Sequence, residues 1–117
     1  MKIGYVALLS LLMAAPAFAG PTTTNGGVKL ECAVTGSSKD GFSIYATNTT
    51  KTKKSCTVSC DLAGQNGKQT VKANGRNVNA APEGRSESQK YEIEGQGGLK
   101  GGPFTSSDIT SASCNNS

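Results

Sequence analysis

The sequence has no histidine and no tryptophan, and only three Phe, three Tyr and two Met in 117 residues. Lacking His, it lacks the commonest general base, the base of the usual Ser and Cys nucleophile triads, and the commonest metal ligand. Lacking Trp, it lacks a favoured platform for stacking sugars. Charge is also sparse, with 12 Lys and Arg against 8 Asp and Glu and a formal net charge of +4. That surplus is modest, and no aromatic is interleaved with the lysines, so the pattern of a nucleic-acid binder is missing. The longest apolar run lies near the N-terminus and is too short for a spanning helix.

That run belongs to a three-part leader. Lys2 is followed by an apolar stretch from Tyr5 to Ala15 broken by Ser10, then Pro16 and the small-residue site Ala17-Phe18-Ala19. This is the layout of a secretory signal peptide over residues 1–19, cleaved after Ala19 to leave Gly20 as the new N-terminus. Its brevity and Ala-rich end look bacterial, which implies periplasm or medium. The mature chain of about 98 residues keeps 13 Leu, Ile, Val and Phe against 46 Gly, Ser, Thr and Asn, with 11 Lys and Arg against 8 acids. So little large aliphatic surface suggests disorder unless something else holds the chain.

Cysteine is the candidate. Cys32, Cys56, Cys60 and Cys114 are even in number in a short exported chain, which favours two disulfides. A zinc site normally uses tighter cysteine pairs, no His is present as a ligand, and the spacing of Cys56 and Cys60 is not that of a thioredoxin-like motif. No metal or cofactor is expected.

The chain after the leader reads as a flexible arm over 20–27 and a single β domain over 28–117. Val28, Leu30, Cys32 and Val34 alternate with Lys29, Glu31 and Ala33, and Phe42, Ile44 and Ala46 alternate with Ser43, Tyr45 and Thr47. Period two marks half-buried strands. Cys56, Val58, Cys60 and Leu62 share the face of a third strand, and Asn66-Gly67 leads by a tight hairpin into a fourth around Lys68–Ala73. A second turn is expected at Asn74-Gly75, followed by short strands around Asn77–Ala81, Gln89–Glu94 and Asp108–Cys114. Ile109 has the opposite parity to Cys114, so the last strand needs a bulge or leaves Ile109 exposed. With no helical period anywhere, about six or seven short strands imply an all-β fold, an antiparallel sandwich or a small barrel, of which the sandwich is the reading adopted. The run from Asn48 through Cys56-Thr57-Val58-Ser59-Cys60 to Asn66-Gly67-Lys68 resembles the middle of small bacterial Ig-like sandwich domains. That resemblance covers about a quarter of the mature chain, rests on strand rhythm, and implies architecture alone.

On one continuous strand, the Cα atoms of Cys56 and Cys60 lie roughly 13 Å apart, beyond the limit of about 7 Å for a disulfide. Each must find another partner. Loop-closure entropy prefers Cys32 with Cys56 and Cys60 with Cys114, with the crossed pairing a close second.

Candidate chemistry is thin. Glu92 and Glu94 share a strand face opposite Tyr91 and Ile93 and read as a solvated face before a glycosidase pair, and Glu83, Arg85 and Glu87 read as a polar loop. The Gly-rich stretch from Gly95 to Pro103 has Lys100 where the dinucleotide pattern needs its third Gly, and Pro103 where a phosphate loop needs Lys. Lys51, Lys53 and Lys54 form the candidate binding cluster. Extended by Lys68, Lys72 and Arg76, they offer a basic surface for an acidic protein or an anionic envelope component, although a soluble loop is the plainer reading. Asn48-Thr49-Thr50 and Asn115-Asn116-Ser117 match the glycosylation triplet. The expected function is that of a small exported, non-enzymatic binding module of the periplasm or envelope. The alternative is a secreted effector or inhibitor gripping a target protein through Asn48–Ser55 and Gly95–Pro103. A polyanion binder and an enzyme rank below both.

Overall fold

Alternation of apolar and polar residues builds the strands that line the core. The computed structural model describes residues 20–117, and the expected leader lies outside the described residues. Seven strands follow in order: β1 (Thr22–Asn25), β2 (Val28–Thr35), β3 (Gly41–Asn48), β4 (Lys54–Gly64), β5 (Gly67–Val78), β6 (Tyr91–Gln96) and β7 (Phe104–Asn116). They form two antiparallel sheets, a four-stranded one ordered β1-β2-β3-β6 and a three-stranded one ordered β5-β4-β7. The facing sides share one core: Val28, Leu30, Cys32, Phe42, Ile44 and Ala46 meet Cys56, Val58, Cys60, Leu62, Val71, Ala73, Val78, Phe104 and Cys114. In the constant-type immunoglobulin arrangement the first, second, fifth and fourth strands face the third, sixth and seventh. Here the first three strands stay together as a meander.

Two sequence expectations change, and an alternative left open for β7 is decided. The arm at 20–27 contributes β1, whose Thr22–Asn25 pairs with Glu31–Val28, because its Thr run has the extended preference a sheet edge accepts. Asn74-Gly75 makes no turn. It sits in a bulge within the single long strand β5, where the register against β4 shifts between Cys56 and Val58, Gly75 takes φ +57° and its N–H donates to Thr57 Oγ1 at 3.0 Å. The parity conflict in β7 is resolved by a bulge: Ser59 pairs with Ser111 but Cys60 with Ile109, so Thr110 is the extra residue. Ile109, Ala112 and Cys114 thereby all turn toward the core.

The cysteine pairing also differs from the loop-entropy preference. Cys32 bonds Cys60 and Cys56 bonds Cys114, with Cα separations of 6.6 Å and 4.1 Å. Cys56 and Cys114 are register partners on adjacent strands. Cys60 has Ile109 as its β7 neighbour, so Cys114 lies four residues away along β4, roughly 13 Å. Cys60 instead faces Cys32 on the opposite sheet. One bridge therefore ties β7 to β4, and the other joins the two layers.

A buried polar hub closes one end. Asn48, fully buried at the end of β3, donates from Nδ2 to the carbonyls of Thr52 at 2.9 Å and Val78 at 3.3 Å. Its Oδ1 accepts from the Thr50 N–H at 2.8 Å and Thr50 Oγ1 at 2.7 Å. Its own N–H donates to Ser88 Oγ at 2.9 Å, and its carbonyl accepts from the Ser88 N–H at 2.8 Å. The glycosylation triplet at Asn48 is thus occupied by a structural hydrogen-bond centre.

Two outcomes follow from this architecture. Non-reducing peptide mapping should recover the pairs Cys32–Cys60 and Cys56–Cys114, closing loops of 28 and 58 residues. Loop closure contributes about 3.5 and about 4 kcal/mol for such loops, against a total of about 5–15 kcal/mol for a small domain. Reduction should therefore abolish the cooperative thermal transition near room temperature, and an unchanged transition would contradict it. Asn48→Ala should cost about 1–3 kcal/mol in urea denaturation, because it strands the buried Val78 carbonyl and removes the partner of the half-buried Thr50 N–H.

Candidate functional site

The sequence-predicted basic residues are spread along the molecule, and two of Lys51, Lys53 and Lys54 have neutral hydrogen-bond partners. Lys51 Nζ donates to the carbonyls of Pro82 at 3.0 Å and Arg85 at 2.6 Å, clasping the loop 79–90 against the loop 49–53. Lys54 Nζ donates to Asn116 Oδ1 at 2.7 Å, while Lys53 is exposed. Lys54 pairs with Val78 at one end of the β4–β5 hairpin and Lys68 with Ala63 at the other, roughly 30 Å along the strands. Lys68 is drawn to Asp61 at 3.8 Å and Arg76 to Glu94 at 2.6 Å. Lys72 stands exposed between them on β5. No single basic surface gathers these residues.

The two loops proposed for a target protein are also separated. Gly97–Pro103 follows β6, whose Gln96 pairs with Phe42 near the start of β3, whereas Thr49–Lys53 follows the end of β3. They occupy opposite poles of the sandwich. The Gly-rich loop is tethered: Leu99 N–H donates to the Asp40 carbonyl at 2.8 Å, Asn66 Nδ2 to the Gly102 carbonyl at 3.0 Å, and Gln69 Nε2 to the Lys100 carbonyl at 3.2 Å. Glu83, Arg85 and Glu87 lie on the exposed loop 79–90.

Glu92 and Glu94 do not form a pair. The β3–β6 register shifts between Ile44 and Tyr45, so Ile44 faces Glu94 while Tyr45 faces Glu92. This bulge sends the two carboxylates to opposite faces. Glu94 pairs with Arg76 across the gap between the sheets, and Glu92 Oε2 accepts from Ser43 Oγ at 2.7 Å on the outer side. Beside Arg76, Tyr91 donates its hydroxyl to the Asn77 carbonyl and accepts from the Asn79 N–H, both at 3.0 Å. These contacts close that edge of the sandwich.

What the fold does assemble lies on the outer face of the four-stranded sheet. Because Leu30 and Ala46 point inward, Lys29, Glu31, Tyr45 and Thr47 point outward, and Thr22 and Thr24 of β1 join them opposite Glu31 and Lys29. With Lys90 at the entry to β6, they line a groove of about 230 Å³. Lys90 Nζ donates to Glu31 Oε1 at 2.9 Å and stands 5.2 Å from the centre of the Tyr45 ring. Glu31 Oε2 accepts from the Gly20 N–H at 3.2 Å. Lys29 leans toward Glu87 at 3.7 Å. The groove thus offers hydroxyls, one aromatic ring, and cations that already have carboxylate partners. Its residues come from four separate segments, and only the outward parity of β2 and β3 signals them in the sequence.

The chain matches no protein-family model, no curated protein and no solved structure in the comparisons made. Among the described residues no helix is long and apolar enough to cross a membrane, and no group of three or more candidate ligands is placed to hold a metal ion.

The groove can be altered without unfolding the protein. Lys90 is half-exposed, so its ion pair and ring contact contribute at most about 1 kcal/mol. Lys90→Gln should keep the fold and lower the thermal midpoint by no more than about 4–8 °C, as measured by circular dichroism; a collapse in stability would refute this weighting.

Proposed function

We propose that the protein is exported, loses Met1–Ala19 by cleavage after Ala19, and acts in the periplasm or outside the cell as a non-enzymatic binding module. The leader pattern supports export, and so do two disulfides in a domain with so few large aliphatic side chains. The likeness to small Ig-like domains is one of architecture: a two-layer sandwich with a disulfide between its sheets and a strand order of its own.

The observation that carries the binding reading is the groove on the outer face of β1, β2 and β3. The exposed Thr22 and Thr24 present hydroxyls beside the Tyr45 ring and the buried Thr47, while Glu31 and Lys90 neutralise one another. Such a surface suits a polar, weakly charged group of a protein or an envelope component better than a polyanion. The rival reading, an inhibitor gripping one target through Asn48–Ser55 and Gly95–Pro103 together, is disfavoured by the opposite placement of those segments.

Affinity capture separates these readings. Oxidised protein and a Tyr45→Ala/Lys90→Gln variant would be immobilised and exposed to the same envelope extract. A component retained by the wild type and lost, by about tenfold or more, from the variant supports the groove. Equal retention by both overturns it, and reproducible turnover in a broad hydrolase screen overturns the non-enzymatic assignment.

A further inference from the structure

Gly20 is held in place by three observations. Its N–H donates to Glu31 Oε2 at 3.2 Å in a half-buried setting. The next residue continues the attachment, since the Pro21 carbonyl accepts from the Cys32 N–H at 3.2 Å. The position also requires glycine, because a Cβ there would run into the carbonyl oxygen of Cys32. The carboxylate that receives Gly20 is the one that receives Lys90 Nζ on its other oxygen at 2.9 Å.

In the uncleaved chain the Gly20 nitrogen is a neutral amide with a single hydrogen to donate. Hydrolysis of the Ala19–Gly20 peptide bond adds water across it: the carboxylate leaves with Ala19, the amine stays on Gly20 and takes up a proton near neutral pH. We infer that the ammonium created by processing at Gly20 ion-pairs with Glu31, so that the rim of the β1–β2–β3 groove is completed by cleavage. The inference rests on the export reading above. It adds that the processed terminus belongs to the site.

The Glu31 carboxylate then lies between two cations, the Gly20 ammonium and Lys90. Tyr45 faces this cluster from β3, and Lys29 lies two residues before Glu31 on β2, engaged with Glu87 at 3.7 Å. The carboxylate favours the charged form of the terminal amine and Lys90 opposes it. Contact with the carboxylate is direct, so the amine should titrate above the ordinary α-amino value. The sign for stability follows: a group whose proton affinity is raised in the folded state stabilises fully below its unfolded titration. That contribution is lost as pH rises through the folded one.

The test uses product exported from the full chain, leader included. Intact mass reports the N-terminus, and acetylation of the α-amino group as a function of pH, read by peptide mass spectrometry, reports its titration. The expected product begins at Gly20 and labels near neutral pH about three- to tenfold more slowly than the Glu31→Gln variant. Glu87→Gln, which touches Lys29 and not Gly20, should label as the wild type does. The thermal midpoint should fall through the alkaline titration in the wild type and not in Glu31→Gln. A product that begins at Gly20 and labels equally fast in wild type and Glu31→Gln overturns the ion pair and leaves the export reading standing. A product with a different N-terminus overturns both. Should Glu31→Gln fail to fold, an ordinary α-amino titration in the wild type is enough to overturn the pair.

Discussion

The inner face of β4 is the constraint on which the structure depends. Cys56, Val58, Cys60 and Leu62 are all fully buried, and β4 is the central strand of its sheet, bonded to β5 on one side and β7 on the other. A strand cannot bend enough to join its own two cysteines, so each is committed outward, Cys56 sideways to Cys114 and Cys60 across the core to Cys32. The sideways bond fixes the register of a strand that returns after 58 residues, and the crossing bond fixes how the two layers face each other. With so few large aliphatic side chains, packing alone would leave both relations weakly specified. The bridges and the inward apolar positions thus act on the same surface.

How legible this was depended on whether the determining contact was local. β2, β3 and β4 follow from period two because one face of each is buried, and Asn66-Gly67 marks its hairpin by local turn chemistry. Parity showed that β7 holds either a bulge or an exposed Ile109, and the pairing with β4 selects the bulge. The disulfide pairing could not, because it depends on which residue of β7 lies opposite Cys56, a long-range register that loop entropy does not contain. Asn74-Gly75 has the composition of a turn, but β4 continues past it and offers pairing partners, so the ladder absorbs the two residues as a bulge. The same kind of shift in β6 parts Glu92 from Glu94, which simple alternation had placed together.

The candidate site was less visible than the fold for a related reason. Outward positions of a sheet carry no hydrophobic signal, and a composition rich in Thr, Ser and Gly makes them look alike. Thr22 and Thr24 acquire meaning only when β1 pairs with β2 and carries its threonines to the rim of the groove. Lys90 sits outside any strand, yet it is the residue that connects Glu31 of β2 with Tyr45 of β3. Lys51, prominent in the sequence as part of a charge run, is instead spent on holding a loop.

The distribution of charge then constrains how the molecule recognises anything. Lys29, Lys68, Arg76 and Lys90 each have an acidic neighbour drawn from a different segment of the chain, and the two lysines of the groove, Lys29 and Lys90, are among them. Surface pairs of this kind add little stability, but they flatten the field through which a polyanion would be attracted. On the binding reading proposed above, recognition through the groove would rely on short-range matching of threonine hydroxyls and the Tyr45 ring. Short-range matching requires a fixed frame, and here the frame is a strand edge pinned at Gly20 and Pro21 to a β2 that is itself bonded through Cys32 to the opposite sheet. The disulfide that joins the layers and the groove on the outer face thus share one strand, so the bond that fixes how the layers face each other also holds the strand that carries the groove.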